Sequence, residues 1–96
     1  MTTTTYDFTK LGDLLKSAGI TIAEASKIFK ASRPTIYSWV AGNAPTQELL
    51  LRNTERLIAV IERAVTAGSL PLVDVEKEAR VPEIMTRLRK HLNGAS

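Results

Sequence analysis

Apolar residues recur every three or four positions along most of this chain, and no stretch alternates apolar and polar residues regularly enough to specify a sheet. Phe8, Leu11, Leu14, Leu15 and Ala18 form the stripe of a first helix, started by Asp7 or Thr9 and ended at Gly19. Ala25, Ile28 and Phe29 define a second inward face, and Ile36 with Trp39 or Val40 a third. A long helix is expected from an N-cap at Thr46 to a stop before Gly68. Leu50, Leu51, Thr54, Leu57, Ile58, Ile61, Ala64 and Val65 lie on one broad face of it, with Arg52, Glu55, Arg56, Glu62 and Arg63 opposite. Beyond the break at Ser69-Leu70-Pro71, Asp74 is placed to cap a short helix to Arg80. Pro82 is placed to start or kink a last helix carrying Ile84, Met85, Leu88 and Leu92. The pattern predicts an all-α fold: a small helical domain with a helix-turn-helix, followed by a long helix and one or two C-terminal helices.

The segment between Thr21 and Gly42 carries the sharpest local signals. Thr21 and Glu24 make a capping box, in which the Thr21 hydroxyl accepts from the Glu24 amide and the Glu24 carboxylate accepts from the Thr21 amide. Ser26 is small enough to let a neighbouring helix approach closely. The second helix must stop near Lys30, because Ser32 is an N-cap for the next one and Pro34 suits a first-turn position whose amide has no intrahelical acceptor. Gly42, followed by Asn43, closes that third helix. The result is two short helices joined by a tight turn, with a division into a flexible arm (1–6), a helix-turn-helix core (7–45) and a C-terminal part (46–96) that completes the core and pairs two copies of the chain.

Composition narrows the setting. Ninety-six residues make one small domain, cysteine is absent, and the apolar share is an ordinary 44%. There is thus neither a disulfide framework nor a thiolate zinc site, and His91, the single histidine, has no metal-binding partner. No segment reads as a signal peptide or a membrane span, which leads to a cytoplasmic expectation. The net charge of +3 is weak information by itself, but its distribution is not. From Lys10 to Asn43 there are five cations, Lys10, Lys16, Lys27, Lys30 and Arg33, against Asp13 and Glu24.

Removing the inward positions of the third helix leaves Ser32, Arg33, Thr35, Tyr37 and Ser38 facing out at its N-terminal end, where free amides and the helix dipole favour phosphate. Arg33 has the fork to donate two hydrogen bonds to guanine, a contact worth about 1–3 kcal/mol of discrimination, and Thr35 and Ser38 suit base edges or a thymine methyl. Ser32, Arg33, Thr35 and Ser38 are therefore the candidate base-reading set. Thr21, Lys27, Lys30, Tyr37 and Asn43 are the candidate phosphate contacts.

Over Thr21 to Asn43 the sequence resembles helix-turn-helix transcriptional regulators of the lambda-repressor/Cro type. The string Ser32-Arg33-Pro34-Thr35-Ile36-Tyr37-Ser38-Trp39 looks like the opening of their recognition helix, and Ala25-Ser26 looks like the small-residue position of the preceding one. The resemblance implies a homodimeric repressor or switch that occupies an inverted-repeat operator on double-stranded DNA, with half-site centres about 34 Å apart. One departure stands out. Where that family often has glycine in the turn, this chain has Lys30, so the turn either holds a non-glycine residue at positive φ, at a cost of about 1 kcal/mol, or takes another path.

Two other readings compete: a helical packaging subunit that uses the helix-turn-helix to mark DNA, and a protein-binding adaptor. Trp39 is read as core. Tyr37 divides between a phosphate contact and a half-buried surface residue. Arg87, Arg89, Lys90 and His91 complement the dipole of the last helix, with a second DNA contact as the alternative. The threonine arm either enters a minor groove or is disordered. No glycine-rich phosphate loop, nucleophile elbow or cysteine nucleophile is present, so an enzyme is not expected, nor a cofactor, a small-molecule ligand or a membrane partner.

Overall fold

The computed structural model describes residues 6–73 and 75–94. The Met1–Thr5 part of the expected arm, the expected Asp74 cap and the Leu92 side chain lie outside the described residues. The described chain is all-helical: a 3-10 turn at Phe8–Lys10 and five α-helices, α1 (Leu11–Ala18), α2 (Ile22–Phe29), α3 (Arg33–Val40), α4 (Glu48–Thr66) and α5 (Lys77–Gly94). Among the described residues, no helix is long and apolar enough to cross a membrane.

The start of the body is fixed by Asp7. Its carboxylate accepts from the amide and hydroxyl of Thr9 at 3.1 and 2.6 Å, and the turn it caps runs directly into α1. These two bonds hold the Asp7 carboxyl below its ordinary value. Tyr6, counted with the arm from sequence, is held to the body: its amide donates to Glu55 Oε2 of α4 at 2.9 Å and its ring meets Phe8 edge-on. Helix α1 ends at Gly19, where φ is +67° and a side chain would lie 2.7 Å from the Pro71 ring. Glycine is needed there for both reasons.

A single core joins the helices. Its fully buried members include Leu11 from α1, Ile36 from α3, Ile58 and Ile61 from α4, Leu70 from the α4–α5 connection and Ile84 from α5. Each such side chain contributes about 2 kcal/mol relative to an exposed position. Trp39 sits between Phe8 and Phe29 in edge-to-face contacts at 6.5 and 5.9 Å, which seats α3 on both α2 and the 3-10 turn that precedes α1. Helix α4 packs between α1 and α5, and α5 also reaches α2. The broad apolar face of the long helix is therefore covered by α1 and by the chain's own tail.

Three features of the C-terminal half differ from the sequence reading. Gln47, not Thr46, occupies the N-cap position of α4, and its side chain makes no cap bond. Pro45 is buried, the chain bends at Thr46 and Gln47, and Gln47 itself is extended, so the helix begins at Glu48, whose carboxylate supplies the negative charge that a helix start favours. Leu50 is exposed, and Val60, absent from the expected stripe, is buried. Helix α5 lies alongside α4 and shifts its covered arc toward Val60, which lines a shared groove with Met85 and Leu88. Finally, the tail is one helix rather than two, and Pro82 lies inside it. Buried Ile84 and Leu88 and the anchored Arg80 on either side of Pro82 hold the helical path across the position where proline removes one backbone bond.

Candidate nucleic-acid interface

The two helices at the centre of the sequence reading begin with the same device. At α2, Thr21 Oγ1 accepts from the Glu24 amide at 3.2 Å and Glu24 Oε1 accepts from the Thr21 amide at 3.0 Å, completing a capping box. At α3, Ser32 Oγ accepts from the Thr35 amide at 3.3 Å and lies 2.8 Å from Thr35 Oγ1. That hydroxyl pair consumes one of its two protons as a donor. Whichever way it runs, one O–H remains to be donated outward.

Between the helices the chain turns at Lys30, which holds φ +56° and ψ +47°. This is the first of the two paths open to a chain without glycine there. The turn is braced by Ser26, whose hydroxyl donates to the Ala31 carbonyl, while the Ala31 amide donates back to the Ser26 carbonyl at 3.0 Å. The small residue in the middle of α2 thus ties down the turn. Helix α3 closes through the Gly42 and Asn43 amides, which donate to Trp39 and Ser38 carbonyls.

With Ile36 and Trp39 turned into the core, α3 presents an outward arc. Arg33 and Tyr37, four residues apart, share one edge of it, and Tyr37 is 59% exposed. Pro34 and Ser38 occupy its middle and Thr35 its far edge, by helical spacing. A shallow groove runs beside this far edge, walled by Pro34, Thr35 and Ser38 on the helix and by Asn43, Thr46 and Gln47 on the connection to α4. Ser32 and Arg33 are exposed next to it.

The candidate residues fall into two groups. Thr35, Ser38 and Asn43 come together in the groove along α3, with Ser32, Arg33 and Tyr37 exposed on the same helix. Thr21 and Lys27 line a different depression, between α2 and α5, beside Glu24, Lys77, Glu78 and Arg80. Lys30 is exposed at the turn between the groups. Sequence reasoning missed Pro34, Thr46 and Gln47 as members of this surface. For Pro34 the signal is in the sequence, since counting helical positions from Ile36 and Trp39 places it mid-arc; Thr46 reads as a cap and does not form one.

Charge along the α2–α3 segment is one-sided. Glu24 is the sole carboxylate between Asp13 and Glu48. Its Oε2 accepts from Arg80 Nε at 2.6 Å, and the Arg80 Nη2 donates to the Gly19 carbonyl at the end of α1. Burial works to raise the Glu24 carboxyl, but the Arg80 guanidinium and the Thr21 amide outweigh it and hold it below the ordinary carboxyl value. One arginine from the tail thereby neutralises the only acid of the segment and ties α1, α2 and α5 together. Lys27, Lys30 and Arg33 are exposed, and among the described residues none of them forms an ion pair.

Comparison of the chain with known protein families, characterised proteins and solved structures finds no match.

Proposed function

We propose that this chain is a sequence-specific DNA-binding regulator that acts as a homodimer, with α3 entering the major groove of double-stranded DNA. The observation that carries the reading is the outward arc of α3: hydrogen-bonding side chains at the N-terminal end of a helix that bears no carboxylate, beside exposed cations that form no ion pair among the described residues. Arg33 supplies the bidentate fork for guanine, and the free O–H of the Ser32–Thr35 pair, with Ser38, supplies donors and acceptors for neighbouring base edges. Lys27 and Lys30 neutralise phosphates on either side, with Thr21, Tyr37 and Asn43 as neutral partners for the backbone. Occupancy of an operator by such a dimer blocks other proteins from the same DNA, so repression is its simplest consequence.

The test is enrichment of bound sequences from a random duplex pool by the full chain. The expected outcome is a recovered motif with inverted-repeat symmetry and half-site centres about one helical turn apart. Its affinity should fall steeply with added salt, in proportion to the number of phosphates contacted. Recovery of no motif, together with salt-independent binding, would overturn the reading and favour the adaptor class.

A further inference from the structure

The outer face of α4 carries an unpaired plug and an unpaired socket on one stripe. Leu49 is 67% exposed, an unusual position for a leucine in the first turn of a long helix, and Leu50 beside it is 38% exposed. Farther along the same face, α4 and α5 enclose a half-open cavity of about 270 Å³ lined by Leu57, Val60, Met85 and Leu88, with Arg56 and Arg89 at its rim. That is larger than the ~150 Å³ hole that admits a benzene-sized group, so a leucine side chain fits. Leu49, Asn53, Arg56 and Val60 follow one another at spacings of four, three and four, Leu57 lies four beyond Asn53, and all five fall on one side of the helix. Plug and socket are therefore separated by two turns, about 12 Å along the axis.

We infer that two copies of this chain associate along α4, antiparallel about a two-fold axis at Asn53, each seating Leu49 in the groove that the other carries between α4 and α5. A two-fold there carries position 49 of one helix to position 57 of the other, so the same contact forms twice and the interface closes on itself. The charges agree with this pairing. The groove lining contains arginines and no carboxylate. Glu48, exposed in the turn that carries Leu49 and paired there with Arg52 at 3.1 Å, comes within reach of Arg56 of the second copy in the antiparallel register, so one of the two rim arginines of each groove gains an acid. Laying groove on groove would instead bring four arginines together, and a parallel register would leave Glu48 near Glu48. The inference names the surface of the homodimer proposed above. It stands on α4 and α5 alone, and does not need the DNA reading to be right. If both hold, the two α3 edges are joined through the short connection that leads from α3 into Leu49 and Leu50, a stiff link between the reading surfaces.

The chain has no cysteine, which makes the test direct. Under mild oxidation the Asn53→Cys variant should form a disulfide-linked dimer, while the Glu62→Cys variant, on another face of α4, should not. In sedimentation equilibrium of the full chain, Leu49→Glu should raise the dimer dissociation constant at least tenfold; this side chain is exposed, so the fold should be retained. Glu48→Arg should weaken the dimer, and adding Arg56→Glu should restore it. A chain that stays monomeric throughout, or a dimer that ignores Leu49→Glu and fails to cross-link through position 53, overturns the inference. A dimer that selects no DNA leaves it standing and removes the proposed function; a monomer that selects DNA does the reverse.

Discussion

Helices α2 and α3 start with nearly the same chemistry and end up with opposite electrostatic fates. Both have an N-cap hydroxyl that accepts from the amide three residues on. At α2 the third helical residue is Glu24, which fills the remaining amide and is then covered by Arg80 from the distant tail. At α3 the corresponding position is Thr35, so the helix start bears no carboxylate, and Arg33 stands exposed beside it. An acid at that one position turns a helix start into an internal joint, whereas a hydroxyl leaves it available to an external anion.

The largest expected effect comes from opening the α2 joint. Arg80→Ala leaves the Glu24 carboxylate and the Gly19 carbonyl without their partner and should cost about 2–3 kcal/mol in urea unfolding. In a Glu24→Gln background, where the box is kept but the charge is gone, the same change should cost clearly less. Equal costs in the two backgrounds would mean that the ion pair does not hold the joint. The joint also carries a pH signature. The Glu24 carboxyl titrates below its ordinary 4.5 in the folded chain. Its contribution is therefore complete above that value and disappears as the pH falls through the folded value. Acid unfolding curves of the parent and Glu24→Gln chains should thus converge below pH 4.5 and separate above it.

At α3 the expectation is reversed. Arg33→Ala should leave the unfolding midpoint within about 0.5 kcal/mol of the parent, since the side chain is exposed and unpaired. On the proposed reading it should cost about 1–3 kcal/mol of discrimination at one operator position in competition binding. Ser32→Ala affects both sides of the comparison, removing the cap and half of the outward hydroxyl pair, and should cost about 1 kcal/mol of stability. The smallest change is Lys30→Gly. Relief of the left-handed backbone should offset the entropy of glycine and stabilise the fold by about 0.5 kcal/mol, while binding to any duplex weakens. A destabilised Lys30→Gly chain would show that the turn draws support from the lysine side chain itself.

What the sequence discloses about this pair of helices is local. Thr21, Glu24, Ser32, Pro34, Gly19 and Lys30 act on amides and carbonyls within a few positions of themselves, so their structural roles can be read from residue type and spacing. The C-terminal half was less legible because its geometry depends on contacts made at long range. Nothing near Arg80 in sequence announces that it reaches back 56 positions to Glu24. Nor does the apolar pattern of α4 separate Val60, which α5 covers, from Leu50, which stays exposed. Pro82 reads as a boundary by its chemistry alone; Ile84 and Leu88, held in the common core, decide otherwise. For the candidate site, the polar arc of α3 followed from helical counting, whereas its extension onto Thr46 and Gln47 depends on where the loop after Pro45 is laid down.

The chain contains one tryptophan, and the fold sets its indole between Phe8 and Phe29, beneath α3 and away from solvent. Its emission is therefore a natural optical gauge of how firmly α3 is seated. A red shift in that signal would mark loosening of the platform itself, so a ligand arriving on the outer arc and a loss of the platform beneath it can be told apart in an unlabelled sample.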